Sequence, residues 1–238
     1  GKTLVSTTTG IAQQEGLLNI NNKVSQYLGN GWSSEPLEKE NLITNRNLLT
    51  MTSGLNDESN LVIKPNLTYL ADAGTRWSYS NVFQLLINVI GKASNQDFET
   101  YFNAKLKNKI GMDGFWNFGT IFTIYHSNTR SMARFGLLLL NKGKWKTEQI
   151  INENYVNETT NSSQDINPSY GYLCWLNGKS KYMVPGSQTV YPTALVPNAP
   201  SDMFSAMGAE DQRIYVIPSK NMVIVRMGDA SDPQNPNF

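Results

Sequence analysis

The sequence has 238 residues and a formal net charge of +1, with 20 lysines and arginines against 19 aspartates and glutamates. A chain of this length can bury a sizeable core in one large domain or two small ones. Its balanced charge gives no reason to expect nucleic acid or an anionic membrane surface as a partner. Single copies of Cys174 and His126 exclude an internal disulfide and a metal site built from several imidazoles.

The first two thirds of the chain have helical patterns. Helical spacing of apolar residues predicts helices over residues 3–15, 19–28, 48–55, 82–91, 95–111, 128–140 and 147–155. The segment 82–91 is apolar on nearly every side, which is typical of a buried helix. Ser80 or Asn81 can cap its N-terminus, so the preceding turn would hold the Tyr79 hydroxyl firmly at the mouth of this helix. Taken alone, such a turn also fits an ordinary capped helix.

The pattern changes after residue 165, where strand-like segments begin. We predict strands over residues 170–176, 202–207, 212–217 and 222–227. The last two are joined by Pro218-Ser219-Lys220-Asn221, a hairpin signal. A helical body followed by antiparallel strands indicates an α+β fold.

Three short motifs stand in order along the chain. They are Lys2 in the first helix, Tyr79-Ser80-Asn81 before the buried helix, and Ala206-Met207-Gly208-Ala209 at the end of a strand. Their order and spacing resemble the penicillin-recognition serine hydrolases, a family that includes class C β-lactamases, DD-peptidases, and related esterases and amidases. That family uses Ser-x-x-Lys, then Tyr-x-Asn, then a Lys-Thr-Gly-like strand. Further segments similar to sequences of that family lie at residues 48–55, 74–81, 131–138, 170–172, 212–217 and 223–226. The resemblance therefore covers nearly the whole chain.

The resemblance implies a β-lactamase/transpeptidase-like fold. Residues 1–238 would form one catalytic domain, with a helical part at roughly 17–160 and a sheet part at 165–228. In this fold, strands that precede the serine helix pair with the terminal hairpin. We therefore expect the domain to be incomplete at the N-terminus and at the C-terminus, and a missing N-terminal segment to pair with that hairpin. The resemblance suggests export to the periplasm or the extracellular space, although the sequence leaves the compartment unknown.

The resemblance also implies a nucleophilic serine three residues before Lys2. That position lies outside the chain, two residues before Gly1, and no other lysine has a serine three positions earlier. A lysine one turn after the serine lies on the same helix face and can take its proton. Tyr79 would relay this proton or deliver it to the leaving group, and Asn81 would hydrogen-bond the lysine. The alternative for Lys2 is a solvated residue near the end of the chain.

The third motif carries the implied oxyanion hole. Its second N–H would be that of Ala209, and Gly208 would let the substrate approach the strand closely. Ala206 and Met207 stand where the family often has a lysine or histidine that binds a substrate carboxylate. This departure favours a neutral ester or amide over a β-lactam or a D-Ala-D-Ala peptide. Arg213 could replace the missing charge or lie on the surface.

The sequence and its resemblance together predict a serine hydrolase that forms an acyl-enzyme with a small-molecule ester or amide, without a metal ion or an organic cofactor. The alternatives are a true β-lactamase or DD-peptidase, a catalytically inactive binding protein of the same fold, and a purely structural domain. His126 is predicted to be a loop residue, since no serine elbow accompanies it. Cys174 is predicted to be a small buried apolar residue.

Overall fold

A computed structural model describes residues 1–119, 121–232 and 234. Its α-helices are α1 (Lys2–Gln14), α2 (Ser25–Leu28), α3 (Leu37–Glu40), α4 (Asn45–Leu49), α5 (Leu85–Ser94), α6 (Phe98–Phe102), α7 (Thr129–Leu140) and α8 (Glu153–Thr159). Its strands are β1 (Gly114–Phe118), β2 (Thr123–Ser127), β3 (Lys144–Trp145), β4 (Glu148–Gln149), β5 (Trp175–Leu176), β6 (Phe204–Met207), β7 (Arg213–Ile217) and β8 (Met222–Arg226). Short 3-10 turns lie at Lys64–Asn66, Asn81–Gln84 and Pro218–Lys220, and Asn103–Lys107 forms a π-helical turn.

Helix α1 is buried on every side from Thr3 to Ala12 and packs against α5 and α8. The sequence pattern indicated one apolar face, so this complete burial was not expected. Threonines allow it because their hydroxyls bond to nearby carbonyls instead of water. Thr8 donates to Leu4 O at 2.7 Å, and Thr3 donates to Leu173 O at 2.7 Å. The second bond ties the start of α1 to the segment before β5.

Helix α5 is the buried helix that the sequence predicted. It follows directly on the 3-10 turn Asn81–Gln84, and Ser80 caps that turn by accepting a hydrogen bond from Val82 N. Leu86, Val89 and Ile90 are fully buried along its length. The capped turn therefore holds Tyr79 and Asn81 against the core and not in a free loop.

Strands β5 to β8 form an antiparallel four-stranded sheet in the order β5-β6-β7-β8. Helix α7 covers one face, and a Cβ placed on Gly136 would lie 2.5 Å from Val223 Cγ1 and 3.0 Å from Ile214 Cγ2. Only a glycine allows this close approach of the helix to the sheet. The predicted hairpin of β7 and β8 and the predicted α+β class are both confirmed.

Strand β8 is an edge strand in the described sheet, and its Met222 and Ile224 side chains are exposed. The pairing of this edge with a segment outside the chain stays a prediction. None of the helices among the described residues is long and apolar enough to cross a bilayer.

Several predicted helices are shorter or absent. Only Ser25–Leu28 of the segment 19–28 is helical, and the segment 95–111 contains α6 followed by the π-helical turn. The prediction of a helix over 147–155 is wrong. There, β3 and β4 form a tight hairpin because Lys146 adopts a left-handed conformation with φ +55°, and α8 begins later, capped by Asn152.

The β1–β2 hairpin was missed by the sequence analysis, and the prediction of a loop at His126 is wrong. His126 lies in β2 opposite Phe115, and the two rings stack with centroids 5.1 Å apart. The dense aromatic and β-branched residues of 115–125, with Gly119 between them, are a strand and turn signal that could have revealed the hairpin. Cys174 is fully buried, as predicted.

We predict that Gly10→Ala destabilises the protein, although alanine favours helices by about 1 kcal/mol over glycine. A Cβ at Gly10 would lie 2.4 Å from Tyr155 Cδ1, and this ring cannot easily move because its hydroxyl donates to Ser6 O at 3.0 Å. Overpacking of this kind costs about 1–3 kcal/mol. Gly91→Ala in α5 is the matched control, since its nearest neighbour would be Gln96 O at 3.3 Å. Chemical denaturation measures both variants, and equal midpoints for Gly10→Ala and Gly91→Ala would contradict the prediction.

Candidate active site

Lys2 and Tyr79 lie together although 77 positions separate them in the sequence. Lys2 is half-buried in the first turn of α1, and its Nζ lies 4.7 Å from the centroid of the Tyr79 ring and 5.0 Å from that of Phe83. Cation–π attraction holds an ammonium group at such distances. The ion pairs found among the described residues do not include Lys2. Its amine is therefore held by aromatic faces and not by a carboxylate.

Tyr79 is linked to the four-stranded sheet by aromatic contacts. Its ring stacks on Trp175 with centroids 5.5 Å apart and meets Tyr170 edge-on at 6.0 Å. Trp175 belongs to β5 and pairs with Ser205 of β6, the strand that continues into the third motif. These contacts connect the second motif to the third through a single tryptophan.

Asn81 is buried, and its amide contacts two loops. Asn81 Nδ2 donates to Asn60 O and to Ile121 O, each at 3.2 Å, and Gln84 Nε2 donates to the same Ile121 carbonyl at 3.0 Å. Among the described residues, no hydrogen bond joins Asn81 to Lys2. In this conformation Asn81 fixes the loops beside the site, and its implied contact with the lysine stays a prediction.

The end of β6 forms a tight turn that presents the third motif. Ala206 and Met207 are half-buried, while Gly208 and Ala209 are exposed. Gly208 N donates to Gln212 O at 2.8 Å, and Ala209 O accepts from Gln212 N at 3.2 Å. Within the described part of the chain, the backbone N–H of Ala209 has no acceptor. It can therefore donate to a bound ligand.

This turn holds two non-glycine residues in the left-handed region, with φ +56° at Glu210 and φ +55° at Asp211. Left-handed conformations cost about 1–2 kcal/mol per residue that carries a Cβ. Such strain persists only where the surroundings fix it, and it clusters at functional sites. Here it sets the direction of the chain immediately after Ala209.

Arg213 braces the turn from within. It is 7% exposed, and its guanidinium donates to Gly208 O at 2.5 Å and to the Asp211 carboxylate at 2.7 Å. Arg226 donates to Asp211 O at 3.1 Å. Arg213 is thus engaged with the turn, and it lies neither on the surface nor in the position of a free carboxylate receptor.

Two further buried groups near Tyr79, the Tyr170 hydroxyl and the Cys174 thiol, are unreactive. Burial raises the pKa of Tyr170 well above its ordinary value, helped by neighbouring Tyr79 and Cys174. Burial also raises the pKa of the Cys174 thiol to about 12, although a hydrogen bond to Ser205 opposes this. Both groups remain protonated at neutral pH, so Cys174 is no nucleophile.

Asp57 and Gln188, which the sequence pattern did not single out, also hold the turn that carries Tyr79. Asp57 accepts hydrogen bonds from Arg76 at 2.9 Å and from the Ser78 hydroxyl, and Gln188 Nε2 donates to Trp77 O at 3.1 Å. The acidic residues of the described chain form no cluster of three or more with histidine or cysteine that could hold a metal ion. Asp57 therefore acts here as an ion-pair partner.

Comparison with known proteins identifies the family. The chain belongs to the Beta-lactamase family, whose model matches residues 1–236. It is thereby one of the β-lactamase-like hydrolases, and its fold is β-lactamase/transpeptidase-like, as predicted. No curated protein matches the sequence.

Solved structures with this fold include relatives of several kinds. A β-lactamase from Mycobacterium bovis has a TM-score of 0.70 and 20% identity, covering 99% of this chain and 79% of its own. A penicillin-binding protein homologue from Caulobacter crescentus has a TM-score of 0.70 and 11% identity, with the same coverage. A D-stereospecific amidohydrolase from Streptomyces has a TM-score of 0.56 and 13% identity, covering 91% and 72%. Identities this low indicate a shared fold and nothing finer.

We predict that the stabilising effect of the Asp57 carboxylate is lost in acid. Burial raises the pKa of Asp57, but the hydrogen bonds from Ser78 and Arg76 and the charge of Arg76 outweigh burial and hold that pKa below its usual range. A depressed pKa stabilises the fold above the unfolded value of about 3.9 and ceases to do so as the pH falls through the folded value. The difference in free energy of unfolding between wild type and Asp57→Asn should thus stay constant from neutral pH down to about pH 5 and shrink below about pH 4. A difference that is equal at pH 7 and pH 3 would count against this assignment.

We predict opposite stability changes for two substitutions in the turn after Ala209. Arg213→Lys loses the planar fork that bonds Gly208 O and Asp211 together, and should lower the free energy of unfolding by about 1–3 kcal/mol. Glu210→Gly removes left-handed strain and should raise it by up to about 1 kcal/mol, after the added flexibility of the unfolded chain is subtracted. Urea denaturation measures both. Destabilisation by Glu210→Gly would show that the turn is not strained.

Proposed function

We propose that this protein is a serine hydrolase that cleaves an ester or amide bond through an acyl-enzyme. The observation that carries the proposal is the short distance between Lys2 Nζ, at the start of α1, and the centroid of the Tyr79 ring. The matching Beta-lactamase family model supports it. The nucleophile would be a serine three residues before Lys2, upstream of Gly1.

In the proposed first step, the serine hydroxyl attacks the substrate carbonyl and transfers its proton to Lys2, which acts as the base. Tyr79 then carries a proton to the leaving alcohol or amine. The oxyanion that forms on the carbonyl accepts hydrogen bonds from the serine N–H and from Ala209 N–H. Water then attacks the carbonyl of the acyl-enzyme and the serine leaves, with the proton transfers running in the reverse order.

Three observations support a neutral ester or amide as the substrate. Ala206 and Met207 place no charged side chain at the third motif, and Arg213 is already bonded to Asp211 and Gly208 O. Structural relatives include a protein described as a hydrolase with promiscuous acyltransferase activity and a D-stereospecific amidohydrolase. A β-lactamase or DD-peptidase activity is the alternative within the same mechanism.

One observation favours a second candidate, a non-catalytic binding protein. Asn81 donates to Asn60 O and Ile121 O and not to Lys2, so the lysine lacks the partner that the motif implies. The codons upstream of Gly1 separate the two candidates. A serine three residues before Lys2 supports the enzyme, and a residue without a nucleophilic side chain there supports the binding protein.

We predict that a fluorophosphonate probe labels the full-length protein covalently, and that Lys2→Ala abolishes the labelling because the serine loses its base. Tyr79→Phe should lower kcat for short acyl esters by about 10²–10⁴-fold, the usual contribution of a general acid or base. Lys92→Ala is the matched control, since Lys92 lies exposed on α5.

The substrate class is tested on the same preparations. Short acyl esters should be hydrolysed faster than a chromogenic cephalosporin, because the third motif carries no positive charge for the cephalosporin carboxylate. Efficient cephalosporin hydrolysis without ester hydrolysis would overturn the proposed substrate class. Labelling that survives in Lys2→Ala would overturn the role of the lysine.

A further inference from the structure

The β1–β2 hairpin exposes several apolar side chains beside the polar Asn117 and His126. Residues 114–127 contain no aspartate, glutamate, lysine or arginine. Near its turn, Phe118 is 49% exposed, Ile121 39% and Phe122 52%. We refer to these three residues as the hairpin end. Exposed apolar side chains gathered at one place mark binding sites far more often than scattered ones do.

The hairpin end is fixed beside the candidate active site. Asn81 Nδ2 and Gln84 Nε2 both donate to Ile121 O, at 3.2 Å and 3.0 Å. Gly119 N donates to Phe122 O at 3.0 Å, which closes the turn. Two side-chain amides on one carbonyl hold this segment to the turn that carries Tyr79, so its apolar side chains stay close to the second motif.

The same hairpin also contacts the start of α1. A methyl group placed on Gly1 would lie 3.4 Å from the Trp116 ring and 3.6 Å from Thr123 O. The hairpin therefore adjoins both the residue before Lys2 and Asn81.

The inner face of the hairpin makes the surface rigid. The Trp116 ring packs edge-on against Phe98 and Phe102, with centroids 5.3 Å and 5.4 Å away, and Tyr125 packs against Phe102 at 5.2 Å. These rings are buried. The strands that carry the exposed apolar groups are thus backed by a packed aromatic layer, so their backbone need not become ordered when a ligand binds.

We propose that the hairpin end binds the apolar acyl chain of the substrate. The proposal rests on the proposed function, and it narrows the substrate class to esters or amides of medium-chain acyl groups. The absence of charge along residues 114–127 favours a hydrocarbon chain over a polar or ionic group. Continuity with Asn81 favours a part of the substrate over an unrelated partner.

The test is the acyl chain-length profile of the full-length protein, measured with p-nitrophenyl esters from acetate to octanoate. We expect kcat/KM to rise about twofold per methylene, about half the effect of burying a CH₂ group completely, and thus about sixtyfold across the series. Phe122→Ser should lower the octanoate-to-acetate ratio at least fivefold. Phe115→Ser is the matched control, because Phe115 is exposed at the opposite end of the hairpin and stacks on His126.

A flat profile in the wild type, or an unchanged ratio in Phe122→Ser, would overturn the proposal. So would a dimer, seen by sedimentation, that Phe122→Ser dissociates, because the hairpin end would then be covered by a second copy of the chain.

A binding measurement that needs no catalysis separates this proposal from the proposed function. Saturation-transfer NMR with octan-1-ol, which cannot be hydrolysed, should show binding to the wild type and to Phe115→Ser. The dissociation constant should rise at least fivefold in Phe122→Ser, and equal binding to all three proteins would overturn the proposal. Octan-1-ol binding at the hairpin end without any ester hydrolysis would uphold the apolar site and reject the proposed enzyme.

Discussion

The stack of Tyr79 on Trp175 is the contact through which the helical part and the sheet share one site. Trp175 also meets Tyr170 edge-on at 4.9 Å and lies in β5 beside β6. This aromatic cluster connects all three motifs, because Lys2 lies over the Tyr79 ring and the third motif continues β6. Buried aromatic rings pack in few geometries, so the cluster fixes the distance between helix and sheet more firmly than surface polar contacts would.

Around that contact, the second and third motifs are each held by polar bonds to their own surroundings. Asp57 braces the Tyr79 turn through Arg76, and Arg213 braces the turn after Ala209 through Asp211. These bonds cost the free energy of burying charge, which is offset only where the hydrogen-bond geometry is good. Their location beside the second and third motifs agrees with the general rule that strain and buried charge are concentrated at functional sites.

The β1–β2 hairpin is the surface that we propose binds the acyl chain. It contacts the start of α1, and its Ile121 carbonyl accepts hydrogen bonds from Asn81 and Gln84. Its exposed apolar side chains include Phe118, Ile121 and Phe122. Ala206 and Met207 of the third motif are also uncharged. The lack of charge at these positions is consistent with the neutral substrate that we propose.

The sequence by itself determined the order of the motifs, the α+β class, the buried helix α5 and the hairpin of β7 and β8. These features depend on local periodicity and turn residues, which are readable without tertiary contacts. It also brought Lys2 and Tyr79 into one hypothesis through the family resemblance. Only the tertiary structure decided which carbonyls Asn81 bonds and that α1 is buried on every side. Those outcomes depend on segments distant in sequence, and a polar side chain bonds whichever carbonyl or carboxylate the packed core brings within reach.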